Sequence, residues 1–378
     1  MEVNVKKILI FYGSYGAGHF SAARSIKEYI DSNYKDCETK IVDCIEYINK
    51  FFNKISVKTY DHLSMKVPWA WKRVYYDSEK WPIKNISKGA NQLFSIKLYK
   101  LISNYNPDII ISTHFFPSQM CCVLKKKGKI NCKLATVLTD YAPHGQWLIY
   151  HEYVDYFFVA HKGMISYLTQ NGVEENKIYA TGIPLSNKFL QNYNKENILK
   201  EFNLKPGKTT VLFFAGGSSH LARGTSSDIF KSFINLFPNI QMLTITGKSE
   251  KLKKEFDELV MYNHKEDSIK VLNFTNQVPQ LMSVSDLVIT KPGGLTTTES
   301  LASGLPIIII DPIPGQEEEN AQFLEKNGVA IWLKKDDNIE KVLSDLFASP
   351  DKIKEMKIKA RLLAKKNSTK DICNILLS

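Results

Sequence analysis

Short apolar runs recur along the chain at intervals that suit a strand followed by a helix. In the first half they cover residues 7–12, 39–44, 108–112, 133–138, 155–159 and 177–181. In the second half they cover 209–214, 241–246, 269–274, 286–290, 307–310 and 330–333. Runs this short and this continuously apolar suit strands buried on both faces of a parallel sheet. Helical patterns lie between them, among them residues 21–30 and the basic, amphipathic 351–366. A chain of 378 residues is too long for one ordinary core. The alternation therefore predicts an α/β protein of two doubly wound, Rossmann-like domains facing each other across a cleft. We place the first at 1–185 and the second at 186–355. The helices of 356–378 are free to pack back on the first.

Two of the strand-to-helix junctions are rich in glycine. The run 286–290 leads into Lys291-Pro-Gly-Gly294, then Leu295 and Thr296-Thr-Thr298. Proline and glycine force a turn there, and the following N–H groups and hydroxyls open a helix. Such a helix start favours an anion such as a diphosphate. The next strand ends in a polar loop with Gln316, Glu317 and Asn320, and loops at this strand edge face the ligand crevice. Diphosphate donors beside hydroxyl acceptors suggest a nucleotide-sugar site. Thr296-x-x-Glu299 also fits a capping box, which needs no ligand. A further glycine pair, Gly216-Gly217, follows the run 209–214.

At the other end of the chain, the run 7–12 leads into Gly13-Ser-Tyr-Gly-Ala-Gly-His19. No Gly-Lys-Ser/Thr follows, and the glycine spacing departs from the dinucleotide fingerprint. His19 falls at a helix N-terminus, where the dipole disfavours the imidazolium. A neutral imidazole beside an anion site is a candidate general base. A turn histidine bonded to the backbone is the plain alternative. Asp140 and His144 lie just past another strand, on the same sheet edge as His19. A cap or turn role for Asp140 stays open.

The net charge of +11 points to an anionic partner. Residues 49–100 hold 11 basic residues against three acidic ones, with three of the five tryptophans: Trp69, Trp71 and Trp81. Amphipathic aromatics among lysines suit an anionic bilayer surface rather than nucleic acid. A lysine-rich face over an aromatic core is the alternative. There is no apolar run of about 18 residues to span a bilayer, and the N-terminus reads as a strand rather than a signal peptide. The six cysteines lack metal-ligand spacing and fit reduced thiols in a cytoplasm. No paired-aspartate metal site is visible, so no metal or cofactor is expected.

Six blocks match a known pattern: Gly16-Ala-Gly-His19 with Ser21-Ala22, Thr139-Asp-Tyr-x-x-His144-x-x-Trp147, Tyr156-Phe-Phe-Val-Ala160, Thr181-Gly-Ile-Pro184, Lys291-Pro-Gly-Gly294, and Pro314-Gly-Gln-Glu317-x-x-Asn320. By these the chain resembles the diacylglycerol glycosyltransferases, the family of bacterial processive glucosyltransferases and plant monogalactosyldiacylglycerol synthases. More distantly it is similar to the lipid-II N-acetylglucosaminyltransferase of peptidoglycan synthesis. The resemblance implies a GT-B fold and a bacterial enzyme peripheral to the cytoplasmic face of the cell membrane. It implies inverting transfer of glucose or galactose from a UDP-sugar to diacylglycerol or a glycolipid, with further extension of the product open. His19 would be the base, with Asp140 near the acceptor hydroxyl and His144 and Trp147 on the acceptor or lipid side. Gly216 and Gly217 would lie in the donor site and Phe274 and Val278 at the uracil. Gly293, Gly294 and Thr296 would hold the diphosphate, Glu299 the ribose, and Gln316, Glu317 and Asn320 sugar or ribose hydroxyls. Three rival readings stand beside this one: a UDP-N-acetylglucosamine transferase on an isoprenoid-linked precursor, a nucleotide-sugar 2-epimerase, and a non-catalytic UDP-sugar sensor.

Overall fold

A computed structural model describes residues 5–14, 16–49, 83–216 and 223–378. Trp69, Trp71, Trp81 and Gly217 lie outside the described residues, as does most of the basic aromatic segment. The chain divides into two compact units. The first comprises Met1–Asn187, Pro314–Gln316 and Lys365–Ser378; the second comprises Lys188–Ile313 and Glu317–Ala364.

The first unit carries β1 (Lys6–Tyr12), β2 (Cys37–Asp43), β3 (Ile109–Ser112), β4 (Lys133–Val137), β5 (Tyr156–Phe158) and β6 (Ile178–Tyr179). They form one parallel sheet in the order β2-β1-β3-β4-β5-β6. Its helices include α1 (Gly18–Asn33), α2 (Cys44–Ile48), α3 (Ile83–Tyr105), α4 (Phe115–Lys126) and α5 (Ile165–Gln170). The second unit carries β7 (Thr210–Phe214), β8 (Gln241–Ile245), β9 (Ile269–Leu272), β10 (Leu287–Thr290), β11 (Ile307–Ile309) and β12 (Ala330–Trp332), in the parallel order β12-β11-β10-β7-β8-β9. Around it lie α6 (Lys195–Glu201), α7 (Arg223–Leu236), α8 (Glu250–Tyr262), α9 (Val278–Val284), α10 (Gly294–Ala302), α11 (Gln316–Lys326), α12 (Ile339–Phe347) and α13 (Pro350–Leu363). The last helix, α14 (Ser368–Leu377), returns to the first unit.

Ile8 to Phe11 are all buried, which is why β1 reads as an unbroken apolar run. Ile8 and Ile10 share a core with Ile26 and Ile30 of α1 and with Ile372, Cys373 and Leu376 of α14. Thr369 Oγ1 accepts from Leu185 N at 2.8 Å and donates to Leu185 O at 2.7 Å, fixing the start of that last helix. Gly182 is needed beside this return. It has a positive φ of 97°, and a Cβ there would lie 2.4 Å from Lys365 Cβ. The expected strand 39–44 ends one residue early. Asp43 accepts from Ile45 N and Glu46 N, so Cys44 opens α2 instead.

An aspartate precedes three of the central strands and pins its neighbour. Asp108 accepts from Lys7 N, Asp155 from Leu134 N and Asp286 from Thr210 N, at 2.7 to 2.8 Å. Asp286 also pairs with Lys357 of α13 at 2.6 Å. Alanine at Asp286 should therefore lower unfolding free energy by about 2 kcal/mol, the range for a hydrogen bond to a charged group. Urea denaturation measures this, and an unchanged midpoint would remove the staple's role.

Both sheets reverse their direction of winding at one place. In the first this lies between β1 and β3, and in the second between β7 and β10. Ligand crevices form at the carboxyl ends of strands at such switch points. His19 follows β1 and Thr113 follows β3; Gly216 follows β7 and Gly293 follows β10.

Candidate active site

In the first unit, α1 begins at Gly18 after Ala17, with no side-chain cap, and His19 is its second residue. The His19 ring is half-buried. Its Nδ1 lies 2.8 Å from the carbonyl oxygen of Thr113 and 3.0 Å from Thr139 Oγ1. A carbonyl oxygen only accepts, so the proton resides on Nδ1 and the lone pair on Nε2. The plain reading, a histidine bonded to the backbone, is therefore true of Nδ1, and it leaves Nε2 as the basic atom. The His114 ring meets the His19 ring edge-on at 4.6 Å between centroids.

His114 caps α4, its Nδ1 accepting from Phe116 N at 3.1 Å. His144 and Trp147 lie around Phe115, with centroids 5.6 and 5.9 Å from its ring. Trp147 is 2% exposed, so it forms a wall of this cluster and not a surface anchor. Asp140 is half-buried, just past Thr139.

Burial is the main cause that lowers the pKa of all three histidines. His19 falls to about 4 and His144 to about 3, and His114 lies well below the usual value of 6.5. All three are neutral at pH 7. Between the unfolded value and these depressed values the unfolded chain binds more protons, so stability is lost as pH falls through that window. The urea midpoint should accordingly drop steadily from pH 7 to about 4.5. His114→Asn keeps a capping side chain and should flatten that slope; an equal slope would exclude His114 from the effect.

In the second unit, Gly293 is the N-cap of α10 and supplies no side-chain cap. Thr296 is therefore the third helical residue and not the N-cap, so the capping-box reading is incorrect. Thr298 and Ser300 instead donate to the carbonyls of Gly294 and Thr296. The first N–H groups of α10 have no intrahelical acceptor, and a helix start of this kind favours an anion. Gly216 is enforced by packing: a Cβ would stand 2.2 Å from Thr246 O.

Asn320 is 0% exposed, and its Nδ2 donates to Pro292 O at 3.0 Å, so it shapes the glycine turn from behind. Glu317 Oε2 accepts from Ile313 N at 2.7 Å, and a Cβ on Gly293 would lie 3.8 Å from its Oε1. Glu317 thus flanks the turn, with Gln316 half-buried beside it and Glu299 half-buried on α10. Phe274 is exposed between β9 and α9, which begins at Val278. Asp311, absent from the sequence reading, holds a left-handed φ of 40° at the end of β11 and accepts from Thr225 at 3.2 Å. Burial raises its pKa.

A family model described as Monogalactosyldiacylglycerol (MGDG) synthase matches residues 19–185, and one described as Glycosyltransferase family 28 C-terminal domain matches 211–374. A processive diacylglycerol beta-glucosyltransferase of Staphylococcus epidermidis is 32% identical over 380 residues, spanning 100% of this chain and 94% of that one. The chain belongs to the diacylglycerol glycosyltransferase family. A family member of the same name from Bacillus cereus is 31% identical over 352 residues, spanning 93% of this chain and 88% of that one. MurG of Acinetobacter baumannii has a TM-score of 0.67 at 14% identity, covering 98% of this chain and 99% of its own. That likeness is one of fold, and the fold is GT-B. Within this diacylglycerol glycosyltransferase, sequence reasoning missed Thr113 and Thr139 as hydrogen-bond partners of His19 and His114 as its ring neighbour. Each stands at or just past a strand's carboxyl end, which was the signal available.

Proposed function

We propose that the protein transfers a hexose, with inversion, from a UDP-sugar to diacylglycerol at a membrane surface. The observation that carries this is His19: a neutral histidine at the switch point of the first sheet, its Nδ1–H held and its Nε2 lone pair left for the acceptor. Nε2 takes the acceptor hydroxyl proton as that oxygen bonds to the anomeric carbon, and the bond from this carbon to the UDP oxygen breaks. Asp140, just past Thr139, attends the acceptor. The uncapped N-terminus of α10 stabilises charge growing on the diphosphate. Phe274 and Val278 offer the uracil an apolar platform, and Glu299, Gln316 and Glu317 serve ribose and sugar hydroxyls. The helix terminus takes the role a metal ion would otherwise fill, so chelator should leave turnover unchanged.

Docking on anionic lipid is supported by α3, in the same unit as His19. Leu93 and Ile96 are 66% and 65% exposed, and Lys97 and Lys100 are exposed with them at helical spacing on one face. Among the described residues no helix is long and apolar enough to cross a membrane. We place the protein peripherally on the cytoplasmic face, where its thiols stay reduced. Leu93→Asp with Ile96→Asp should reduce sedimentation with anionic vesicles, and undiminished sedimentation would remove α3 from the docking face.

The deciding experiment supplies diacylglycerol liposomes, and in parallel liposomes with a polyprenyl-diphosphate sugar, with UDP-glucose, UDP-galactose or UDP-N-acetylglucosamine in turn and resolves the lipids. A hexosyl-diacylglycerol product supports the reading. Product only on a polyprenyl-diphosphate acceptor would overturn it.

A further inference from the structure

Inverting transfer needs the base's lone pair aimed at the acceptor throughout the reaction, and the structure gives His19 two neutral partners for that purpose. Thr113 grips the residue at both ends. Its carbonyl accepts the Nδ1–H at 2.8 Å, and its hydroxyl donates to the His19 carbonyl at 2.9 Å. Thr139 Oγ1 lies 3.0 Å from the same nitrogen. Were Nδ1 the unprotonated nitrogen, two lone pairs would face each other at 2.8 Å. The arrangement is consistent only with Nδ1–H shared between the carbonyl and the threonine oxygen. Both threonines are buried, so these contacts are shielded from competing water. They lie just past β3 and β4 respectively, while His19 lies in α1, after β1. Three adjacent strands of the switch point therefore converge on one imidazole.

We infer that Thr139, with Thr113, is the positioning residue of the base, fixing the Nδ1–H tautomer and accepting from the imidazolium that forms at the transition state. This rests on His19 being the proton acceptor. The proton taken by Nε2 leaves both ring nitrogens as donors, and the Nδ1–H bonds then strengthen because the donor is charged. Thr139 thus contributes more to the transition state than to the ground state, which is the condition for an effect on kcat and not on donor binding. The depressed pKa of His19 agrees, since burial disfavours the imidazolium in the resting enzyme.

The test compares Thr139→Val, which keeps shape without the hydroxyl, with Thr139→Ser, which keeps the hydroxyl. With UDP-sugar and diacylglycerol liposomes, Val should lower kcat by about fivefold to tenfold, the range for one neutral hydrogen bond. The KM for the UDP-sugar should stay unchanged, and Ser should restore most of the rate. Imidazole nitrogen NMR of histidine-labelled protein, with the His19 signal assigned by its loss in His19→Gln, should read the Nδ1–H tautomer in both proteins, because the Thr113 carbonyl remains, with the Nδ1 signal shifted in the Val variant by loss of its second acceptor. If Val fails to fold, Thr139→Ala replaces it against the same Ser control. Wild-type kcat with an unshifted His19 Nδ1 signal in the hydroxyl-less variant overturns the inference, as does an equal loss in Ser. A fully active His19→Ala would instead overturn the reading beneath it, so the two failures are distinct.

Discussion

Alanine in place of His19 lowers the turnover of hexose transfer by about 10²–10⁴-fold, the range for general-base catalysis. Two features make this the largest catalytic effect to expect from one residue. The ring is the group at the first sheet's switch point with a nitrogen lone pair left for an acceptor, its other nitrogen being committed to Thr113 and Thr139. Its depressed pKa also means that nearly every molecule at pH 7 carries the basic form, so none of the base is lost to protonation. The donor-binding candidates Gly293, Gly294, Glu299 and Glu317 belong to the second unit and do not depend on this side chain. UDP binding by calorimetry should therefore be unchanged while kcat collapses. A loss smaller than about tenfold would place the proton elsewhere, since that lies below the range for a general base. Some rate above background should survive in the variant, from positioning and from the charge-stabilising helix terminus.

Deleting residues 368–378 unfolds the first unit. The deletion removes Ile372, Cys373 and Leu376 from the core that β1 and α1 share, together with both bonds between Thr369 and Leu185. Burying one aliphatic side chain contributes about 1.5–3 kcal/mol. Three lost at once match a large part of the 5–15 kcal/mol that holds a typical protein folded. The loss falls on one unit, because α13 and everything before it in the second unit ends at Ala364. Hydrogen exchange read by mass spectrometry separates the cases: peptides from β1, β3 and β4 lose protection, and peptides from β7, β8 and β10 keep it. Retained protection in β1 would mean that α14 is an accessory. Ile372→Ala alone should cost about 2–5 kcal/mol and leave both units folded.

The sheets were legible because their strands are buried on both faces, so β1, β3, β7 and β10 stand out as apolar runs whatever surrounds them. The glycine turns were legible for a related reason: Gly182, at a positive φ, and Gly216, against Thr246 O, sit where a side chain has no room. Side-chain roles that depend on what arrives from elsewhere were not. Asn320 carries the same amide whether it meets a sugar or a carbonyl, and only the fold brings Pro292 beneath it. Thr296 and Glu299 have capping-box spacing, yet Gly293 starts the helix three residues earlier. The partners of His19 lie about a hundred residues away along the chain, at Thr113 and Thr139, and no local pattern announces them. Trp147 lies far along the chain from Phe115 and His114, the rings that flank it, and no local pattern announces that cluster.

The return of α14 to the first unit also sets an order of events during synthesis. Tyr34 meets Asn374 across 340 residues of sequence, and Leu185 meets Thr369 across 184. Contacts so distant form late, because the intervening chain must first be made and brought together. Strand β1 is therefore among the last parts of the first unit to be sealed, after the second unit has already been translated. A polypeptide that stops short of its last helix would carry His19 on an open, exchange-labile sheet. Translation of α14 and closure of the first unit's core thus become a single event.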